Sequence, residues 1–351
     1  MSVSLSTVRG KLNTILGDII SGTTTAEGST DKTSLIDSTL AWYPDDYFID
    51  YSVYLTVTNQ EKKVKSFISP SGTLVVASAF SAQVASGVAY ELYRFSASDK
   101  LLAINKALRD AYPSFYSYVR NETLWGQNKY GEEETEFDKF KYTIPSGFYD
   151  FPDQIWLREG YIGTHTGNDA ASVLTDADMD WETNELAGET IRNKTDGSSG
   201  TVTSNTATTV TATLAGGTDN KWDEDDEYIV PKPNRKPVRF YDYKPLQTSS
   251  GWEFYADIHQ AYSIILIGKQ VLTAFTTDAS TTEINDSQAE ILVLKAAANL
   301  FRMYATKIDV QDAGRFKALA DEYAQEFYVL VERHRMPPFF PRLHIDWEWS
   351  Q

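Results

Sequence analysis

The chain of 351 residues contains no cysteine. Disulfide bonds, zinc–thiolate sites, cysteine nucleophiles and redox CxxC pairs are therefore excluded. No run of about 18 apolar residues occurs, which excludes a membrane-spanning helix. The N-terminal segment MSVSLSTVRGKLNTILGDII lacks the basic region, apolar stretch and cleavage site of an export signal. We therefore expect a protein without a membrane anchor and without a signal peptide.

Basic residues are outnumbered. Thirty-two lysines and arginines stand against 49 aspartates and glutamates, which gives a net charge of -17. A surface of that sign repels phosphate, so binding to DNA or RNA through counterion release is disfavoured. Two interpretations remain open: the charge keeps the protein in solution, or it lines a channel through which DNA slides without sticking.

Catalytic motifs are also missing. The sequence has no GxSxG, P-loop or GxGxxG motif, and its four histidines are far apart. Asp176, Asp178 and Asp180 have the spacing that opens a calcium loop, but the sixth position is not glycine and the twelfth is Ala187. We expect a solvated acidic loop there, no cofactor, no metal site and no enzymatic activity. A glycosidase-type acid pair has no support, although 49 carboxylates do not exclude one.

Four segments have the three- and four-residue spacing of apolar residues that is typical of amphipathic helices. They cover about Ser4–Ile20, Ser98–Val119, Ser287–Ala305 and Val310–His334. Pro113 should kink or end the second segment. The third opens with a capping-box pattern and is apolar almost all round, so it should be the most buried helix. Together they predict an antiparallel helical bundle whose members are far apart in the chain.

Between the helices the residue pattern is that of strands. Phe140–Ile144 and the segments VRFYDY, WEFYADI and YSIILIG predict a small antiparallel sheet. Two blocks, about 24–96 and 165–231, are rich in Thr, Ser, Gly and Val. This composition fits either a disordered linker or solvated strands, and the alternation of Thr with Val favours strands.

The two blocks are similar to one another. Their matching residues are Asp37 with Asp176, Trp42 with Trp181, and Tyr90 with Tyr228, each pair separated by 138 or 139 positions. Either the blocks are copies of one module, or two Thr-rich strand regions are alike by chance. Duplication predicts two compact β-modules inserted into loops of the helical core.

These features predict an α+β fold with an antiparallel helical-bundle core, a small antiparallel sheet and two inserted all-β modules. The expected parts are the first core helix (1–23), the first β-module (24–96), the second core helix with strands (97–164), the second β-module (165–231), the core strands with the last two helices (232–335), and an extended aromatic tail (336–351).

The tail reads MPPFFPRLHIDWEWSQ. Its prolines exclude a helix at the start, and its exposed aromatic side chains would promote aggregation of a monomer. The tail either folds back on its own helices or docks on a partner, where such anchors carry most of the binding energy. The candidate docking residues are Phe339, Phe340, Leu343, Ile345, Trp347 and Trp349.

The order of these segments resembles the head-to-tail adaptor proteins, also called neck or connector proteins, of tailed bacteriophages. The resemblance covers nearly the whole chain, through SDKLLAINKALRDAYPSFY, YTIPSGFYDFPDQIWL and NDSQAEILVLKAAANLFRMYA to a last helix ending ERHRMPP. The second block is similar to small β-domains that recur across phage virion proteins. No catalytic signature takes part in this resemblance.

The resemblance implies a structural virion protein of the head–tail neck that is assembled in the host cytoplasm. Its copies would form a dodecameric ring that binds the portal protein and the next neck or tail protein. Double-stranded DNA would pass through the lumen without specific binding.

Two other functions compete with this one. The main alternative is a tail-associated glycan-binding or glycan-cleaving protein, favoured if carboxylates and exposed tryptophans such as Trp181 and Trp222 share a groove. The second alternative is a head-decoration protein. Helices at both ends of the chain fit an adaptor better than they fit either of these two alternatives.

Overall fold

A computed structural model describes residues 2–128, 140–306 and 310–334 of the chain. Within these residues there are four α-helices: α1 (Leu5–Leu16), α2 (Ala97–Asp110), α3 (Asp286–Ala305) and α4 (Val310–Arg333).

Twenty strands accompany the helices in the same part of the chain. Those before α2 are β1 (Val3–Ser4), β2 (Ile20–Thr23), β3 (Ser34–Ile36), β4 (Ser52–Leu55), β5 (Gln60–Ile68), β6 (Thr73–Val76) and β7 (Ala89–Tyr93). Those between α2 and α3 are β8 (Ser117–Trp125), β9 (Lys141–Thr143), β10 (Gln154–Thr164), β11 (Val173–Thr175), β12 (Thr190–Asn193), β13 (Ser199–Asn205), β14 (Thr209–Ala212), β15 (Glu227–Pro231), β16 (Val238–Phe240), β17 (Lys244–Thr248), β18 (Gly251–Tyr255), β19 (Tyr262–Gln270) and β20 (Thr281–Thr282).

The predicted helical-bundle core is wrong. The protein is mostly β-sheet, with 34% strand against 24% helix, and has several sheets beside its four described helices. One cause lies in the segment predicted as the second helix, which ends at Asp110, while Ser117–Trp125 forms β8. Phe115 and Val119 continue the apolar spacing beyond Pro113, but proline interrupts a helix and strand pairing takes over after it.

Helix boundaries follow local capping chemistry. Ser4 accepts a hydrogen bond from the Thr7 N–H at the start of α1, and Gly17 ends that helix with a left-handed φ of 58°. The capping box of α3 is formed by Asn285 and Gln288, two residues before the predicted one. The third helix is the most buried, as predicted, because side chains on nearly all sides of it are buried.

Four sheets occur among the described residues: β1 with β20, a three-stranded sheet of β17, β18 and β9, a six-stranded sheet and a nine-stranded sheet. The predicted small sheet is divided between two of these. β18 pairs with β17 and β9, whereas β16 and β19 pair with β10 in the nine-stranded sheet.

The chain divides into two compact units, Met1–Ser117 with Val271–Gln351, and Tyr118–Gln270. In the first unit, one apolar core gathers side chains from all four helices, and a second core lies under the sheet of β2 to β7. In the second unit, one core lies beneath β11 to β15 and another beneath β9, β18 and β19.

Two segments, one in each unit, have the same strand order. The first module, strands β2 to β7 (20–93), has the order β2-β7-β4-β5-β6-β3, and the second module, the end of β10 with β11 to β15 (160–231), has the order β10-β15-β12-β13-β14-β11. All pairs are antiparallel, and both modules break register at the same place, between Val64 and Ser66 and between Val202 and Ser204. Duplication of one module would produce this correspondence.

The first strand of the second module has a double role. Residues 160–164 of β10 pair with β15 of the module, whereas residues 154–159 pair with β19. The module therefore continues directly into the rest of the nine-stranded sheet. In the first module, the corresponding strand β2 pairs with β7 alone.

Candidate functional site

The six predicted docking residues Phe339, Phe340, Leu343, Ile345, Trp347 and Trp349 lie outside the described residues. Within the first unit, two groups of side chains stand out. One is a buried set of charges between the first module and the helices, and the other is a cleft lined by aromatic rings and arginines.

The buried charges centre on Lys100 of α2, which has no exposed surface. Its Nζ lies 2.9 Å from Asp18 Oδ2, donates to Asn13 Oδ1 at 2.7 Å, and stands 3.6 Å from the centre of the Tyr93 ring. Asp18 also accepts two backbone N–H groups just after β7, at 2.6 and 3.0 Å. Burial lowers the pKa of Lys100 to about 8, although the charge of Asp18 opposes this shift.

A second ion pair extends this group. Arg9 of α1 donates to Asp278 at 2.7 Å, and the Tyr54 hydroxyl donates to the same carboxylate at 2.9 Å. Burial would raise the pKa of Asp278, but the hydrogen bond and charge of Arg9 outweigh it and lower that pKa. Burial raises the pKa of Glu91, whose carboxylate lies 3.8 Å from Arg9. Strands β4 and β7 thus contribute directly to the contact with the helices.

Glu61 of β5 completes the contact. Its carboxylate accepts the backbone N–H groups of Ala97 and Ser98, at 2.7 and 3.1 Å, and so satisfies donors in the first turn of α2. A cavity of about 300 Å³ lies beside these groups and is bordered by Arg9 and Asp278. We call the whole set the junction cluster: Arg9, Asp18, Tyr54, Glu61, Glu91, Lys100 and Asp278. Because these charged groups are engaged with one another or with backbone, the cluster suits a structural joint.

The second group surrounds a cavity of about 420 Å³ formed by the end of α1, the segment after β7, the end of α3 and the first half of α4. Its walls are aromatic. The Phe95 and Tyr304 rings pack edge to face with centres 4.7 Å apart, and the Phe301 and Phe316 rings lie 5.6 Å apart. We call this the arginine–aromatic cleft, defined by Arg94, Phe95, Phe301, Tyr304, Arg315 and Phe316.

Two arginines give this cleft its charge. Arg94 is positioned by a 2.7 Å hydrogen bond from its Nε to the Tyr51 hydroxyl, and Arg315 is exposed on α4. Asp18 also borders the cleft, but its carboxylate is neutralised by Lys100. An apolar cavity with positive charge at its edge, on a chain of net charge -17, suits a ligand that is both aromatic and acidic.

Neither group is recognisable from the sequence. The charged residues of the junction cluster are dispersed along the chain, and nothing in the sequence relates Lys100 to Asp18. For the cleft, the only signal was the helical spacing of Phe316 and Leu319, which marks the inner face of α4.

Each module contains the same buried hydrogen bond. Tyr90 donates to Asp37 at 2.6 Å in the first module, and Tyr228 donates to Asp176 at 2.7 Å in the second. Burial and this hydrogen bond raise the pKa of both tyrosines. The expected solvated acidic loop is therefore wrong for Asp176, which is 2% exposed and belongs to the module core.

A glycine lies against each of these pairs. A Cβ atom on Gly22 would come within 2.6 Å of the Tyr90 hydroxyl, and one on Gly163 within 2.2 Å of Asp176 Oδ2. A larger residue at either position would have to displace the buried pair, which favours glycine there.

The tryptophans named for a glycan groove are buried. Trp181 and Trp222 are 4% and 0% exposed, and Trp222 packs against Tyr228 and His165. Trp42, the predicted counterpart of Trp181, is 92% exposed. The two tryptophans of the second module therefore form core and do not line a sugar-binding surface.

His165 is a core histidine. Its Nδ1 accepts the Thr175 N–H at 2.9 Å, which leaves Nε2 to donate to the Asn168 carbonyl at 3.1 Å. Across residues 2–128, 140–306 and 310–334, no group of three His, Cys, Asp or Glu side chains is arranged to hold a metal ion. None of the helices in that part of the chain has the length and apolar character needed to cross a bilayer.

No family model matches the chain, and no curated protein and no solved structure shows significant similarity to it.

Proposed function

We propose that this chain is a structural virion protein, an adaptor subunit that forms a ring between the portal and the neck or tail of a tailed bacteriophage. The observation that carries the proposal is the course of the chain through the first unit. Helices from both ends share one apolar core, the first module leaves and returns between α1 and α2, and the unit Tyr118–Gln270 leaves and returns between α2 and α3. This is the segment order that the resemblance to adaptors implies.

Ring formation needs two unlike surfaces on each subunit, because a cyclic interface joins one face to a different one. The arginine–aromatic cleft supplies a positive, apolar face, and the tail 336–351 is acidic and aromatic near its end. The net charge of -17 would let DNA move through a lumen without sticking to its wall. The proposed site of action is the neck of the virion, after assembly in the host cytoplasm.

The glycan-directed alternative loses its predicted groove, because Trp181 and Trp222 are buried. Its remaining support is Trp42, which is 92% exposed on the first module. Binding of surface glycans that is lost in Trp42→Ala would favour this alternative. We expect no such binding, and no hydrolysis of nucleotides, peptides or glycans.

The experiment combines the purified chain with purified portal protein. Electron microscopy of the mixture should show rings of the chain stacked on the portal, with a central opening wide enough for duplex DNA. A variant ending after Arg335 should remain folded by circular dichroism but fail to form rings on the portal, because it lacks the tail that docks on the portal or on a ring neighbour. A wild-type chain that stays separate from the portal at high concentration would overturn the proposal.

A further inference from the structure

We propose that the arginine–aromatic cleft binds the segment Asp346–Trp349 of a second copy of this chain. The inference deepens the proposed function, since it names the contact between neighbouring subunits of the ring. Its test needs no portal, so the contact between copies and the function at the portal can fail separately.

The chemistry of the cleft matches that of the segment. The cleft offers aromatic walls in a cavity of about 420 Å³, with Arg94 and Arg315 at its edge. The segment reads Asp-Trp-Glu-Trp, so it alternates a carboxylate with an indole. Indole rings pack well against Phe and Tyr edges, guanidinium groups lie favourably over Trp faces, and arginine–carboxylate pairs form strong, oriented hydrogen bonds.

The charges of the cleft are available for such a ligand. Arg94 donates its Nε–H to the Tyr51 hydroxyl at 2.7 Å and is also hydrogen-bonded to Tyr47. These contacts fix an exposed guanidinium, whose five N–H donors allow it to bind a carboxylate as well. Arg315 is exposed on α4, and the carboxylate at the cleft, Asp18, is neutralised by Lys100 at 2.9 Å. An acidic segment approaching the cleft therefore meets net positive charge on a chain that is negative overall.

The position of the cleft favours a second copy as the source of the segment. From Leu319, at the cleft, to Arg333, at the end of α4, the helix rises about 21 Å at 1.5 Å per residue. The sequence that follows contains Pro337, Pro338 and Pro341, and proline is unfavourable inside a helix. A tail reaching its own cleft would have to reverse and return along α4. A tail reaching the next copy joins two unlike faces, as a ring requires.

The test uses two full-length variants. Arg315→Glu reverses a charge of the cleft and leaves the tail intact, whereas Trp347→Ala with Trp349→Ala removes the indoles and leaves the cleft intact. Self-association is measured by sedimentation velocity over a range of concentrations. The wild-type chain should associate, and each variant alone should associate at least tenfold more weakly.

The decisive measurement is an equimolar mixture of the two variants. One chain then brings an intact tail and the other an intact cleft, so the mixture should form pairs with the affinity of the wild-type contact. A mixture that associates no more strongly than either variant alone would overturn the proposal. Binding of each tail to its own cleft would also overturn it, and it predicts a wild-type chain that is monomeric at every concentration.

Lys317→Glu is the matched control. Lys317 is exposed on the same helix two residues from Arg315, does not border the cleft, and undergoes the same charge reversal. It should associate like the wild type. An equal loss of self-association in Lys317→Glu and Arg315→Glu would show that overall charge drives association, and would overturn the proposal that the cleft is the binding site. Circular dichroism of all variants checks that they are folded, and combining Arg315→Glu with Glu348→Arg should recover part of the lost association.

Discussion

The two modules share a strand order but are attached to the protein in different ways. The first joins the helices through the junction cluster. Tyr54 donates to Asp278, Glu91 lies beside Arg9 of α1, and Glu61 accepts backbone N–H groups in the first turn of α2. The second joins its unit through backbone pairing, because β10 serves both the module and the neighbouring strands. The same architecture therefore depends on side-chain electrostatics in one place and on strand continuity in the other.

The largest test of this difference is deletion of each module. Removing residues 168–230 leaves β10 paired with β19 and leaves the junction cluster intact, so we expect a folded, helical protein that still unfolds cooperatively. Removing residues 24–93 takes away Tyr54, Glu61 and Glu91 and leaves Arg9 and Lys100 without part of their surroundings, so we expect loss of the folded helices. Thermal unfolding followed by circular dichroism measures both. If both deletion variants are unfolded, or both are folded, the helices do not depend on the two modules to different degrees and the comparison is wrong.

The next largest effect concerns Lys100. Lys100→Met leaves the buried Asp18 without its cation, and breaking a buried pair in this way costs about 3–5 kcal/mol in the free energy of unfolding. Adding Asp18→Asn removes the orphaned charge and should restore most of the loss. Urea unfolding measures both variants. A double variant no more stable than the single one would show that Lys100 acts through packing on Tyr93 and not through charge.

A smaller effect separates the two buried tyrosines. Tyr228→Phe leaves Asp176 Oδ2 without its donor, and an unsatisfied buried acceptor costs roughly 1–3 kcal/mol. Tyr90→Phe removes the corresponding donor from Asp37. After these changes Asp37 still accepts two hydrogen bonds, from the Thr39 N–H at 2.9 Å and the Thr39 hydroxyl at 2.7 Å. Asp176 still accepts one, from the Asp178 N–H at 3.0 Å. We therefore expect Tyr228→Phe to be the more destabilising of the two in urea unfolding. The reverse order would mean that these extra hydrogen bonds do not support Asp37.

The smallest effect is a dependence on pH. The folded pKa of Lys100, about 8, lies below its usual value of 10.5. Between these values the unfolded chain holds a proton that the folded chain has lost, so raising the pH stabilises the folded state. The free energy of unfolding of the wild type, relative to Lys100→Met, should rise from pH 8 to pH 10. Subtracting the variant removes the contribution of the tyrosines, which titrate in both chains. If the difference in the free energy of unfolding does not change over this pH range, Lys100 does not have a lowered pKa in the folded chain.

The sequence was most informative where one segment determined its own structure. Apolar spacing located α1, α3 and α4, and the alternation of Thr with Val favoured strands in the second module, where β13 and β14 lie. The pairing of Asp37 with Asp176 and of Tyr90 with Tyr228 matched residues that occupy equivalent core positions. These signals are local or arise from repetition, and neither needs knowledge of distant contacts.

The predictions from sequence were wrong or incomplete where the structure depends on contacts between residues far apart in the chain. Weighing the helices as the core gave the wrong fold class, because the number of strands that pair across the chain is not visible in any single segment. Trp42 and Trp181 have the same sequence context, yet one is exposed and the other buried. The junction cluster joins residues as far apart as Arg9 and Asp278, and no periodicity or motif marks such a pair.

The glycine against each buried Asp–Tyr pair has a consequence for tracing the ancestry of this protein. Glycine precedes the aspartate by 15 residues in the first module (Gly22 to Asp37) and by 13 in the second (Gly163 to Asp176), and the tyrosine follows by 53 and 52. The three residues constrain one another sterically, so they should persist after the surrounding Thr and Ser positions have diverged beyond recognition. Duplication therefore predicts that a search for this spaced triplet would detect further modules of this kind.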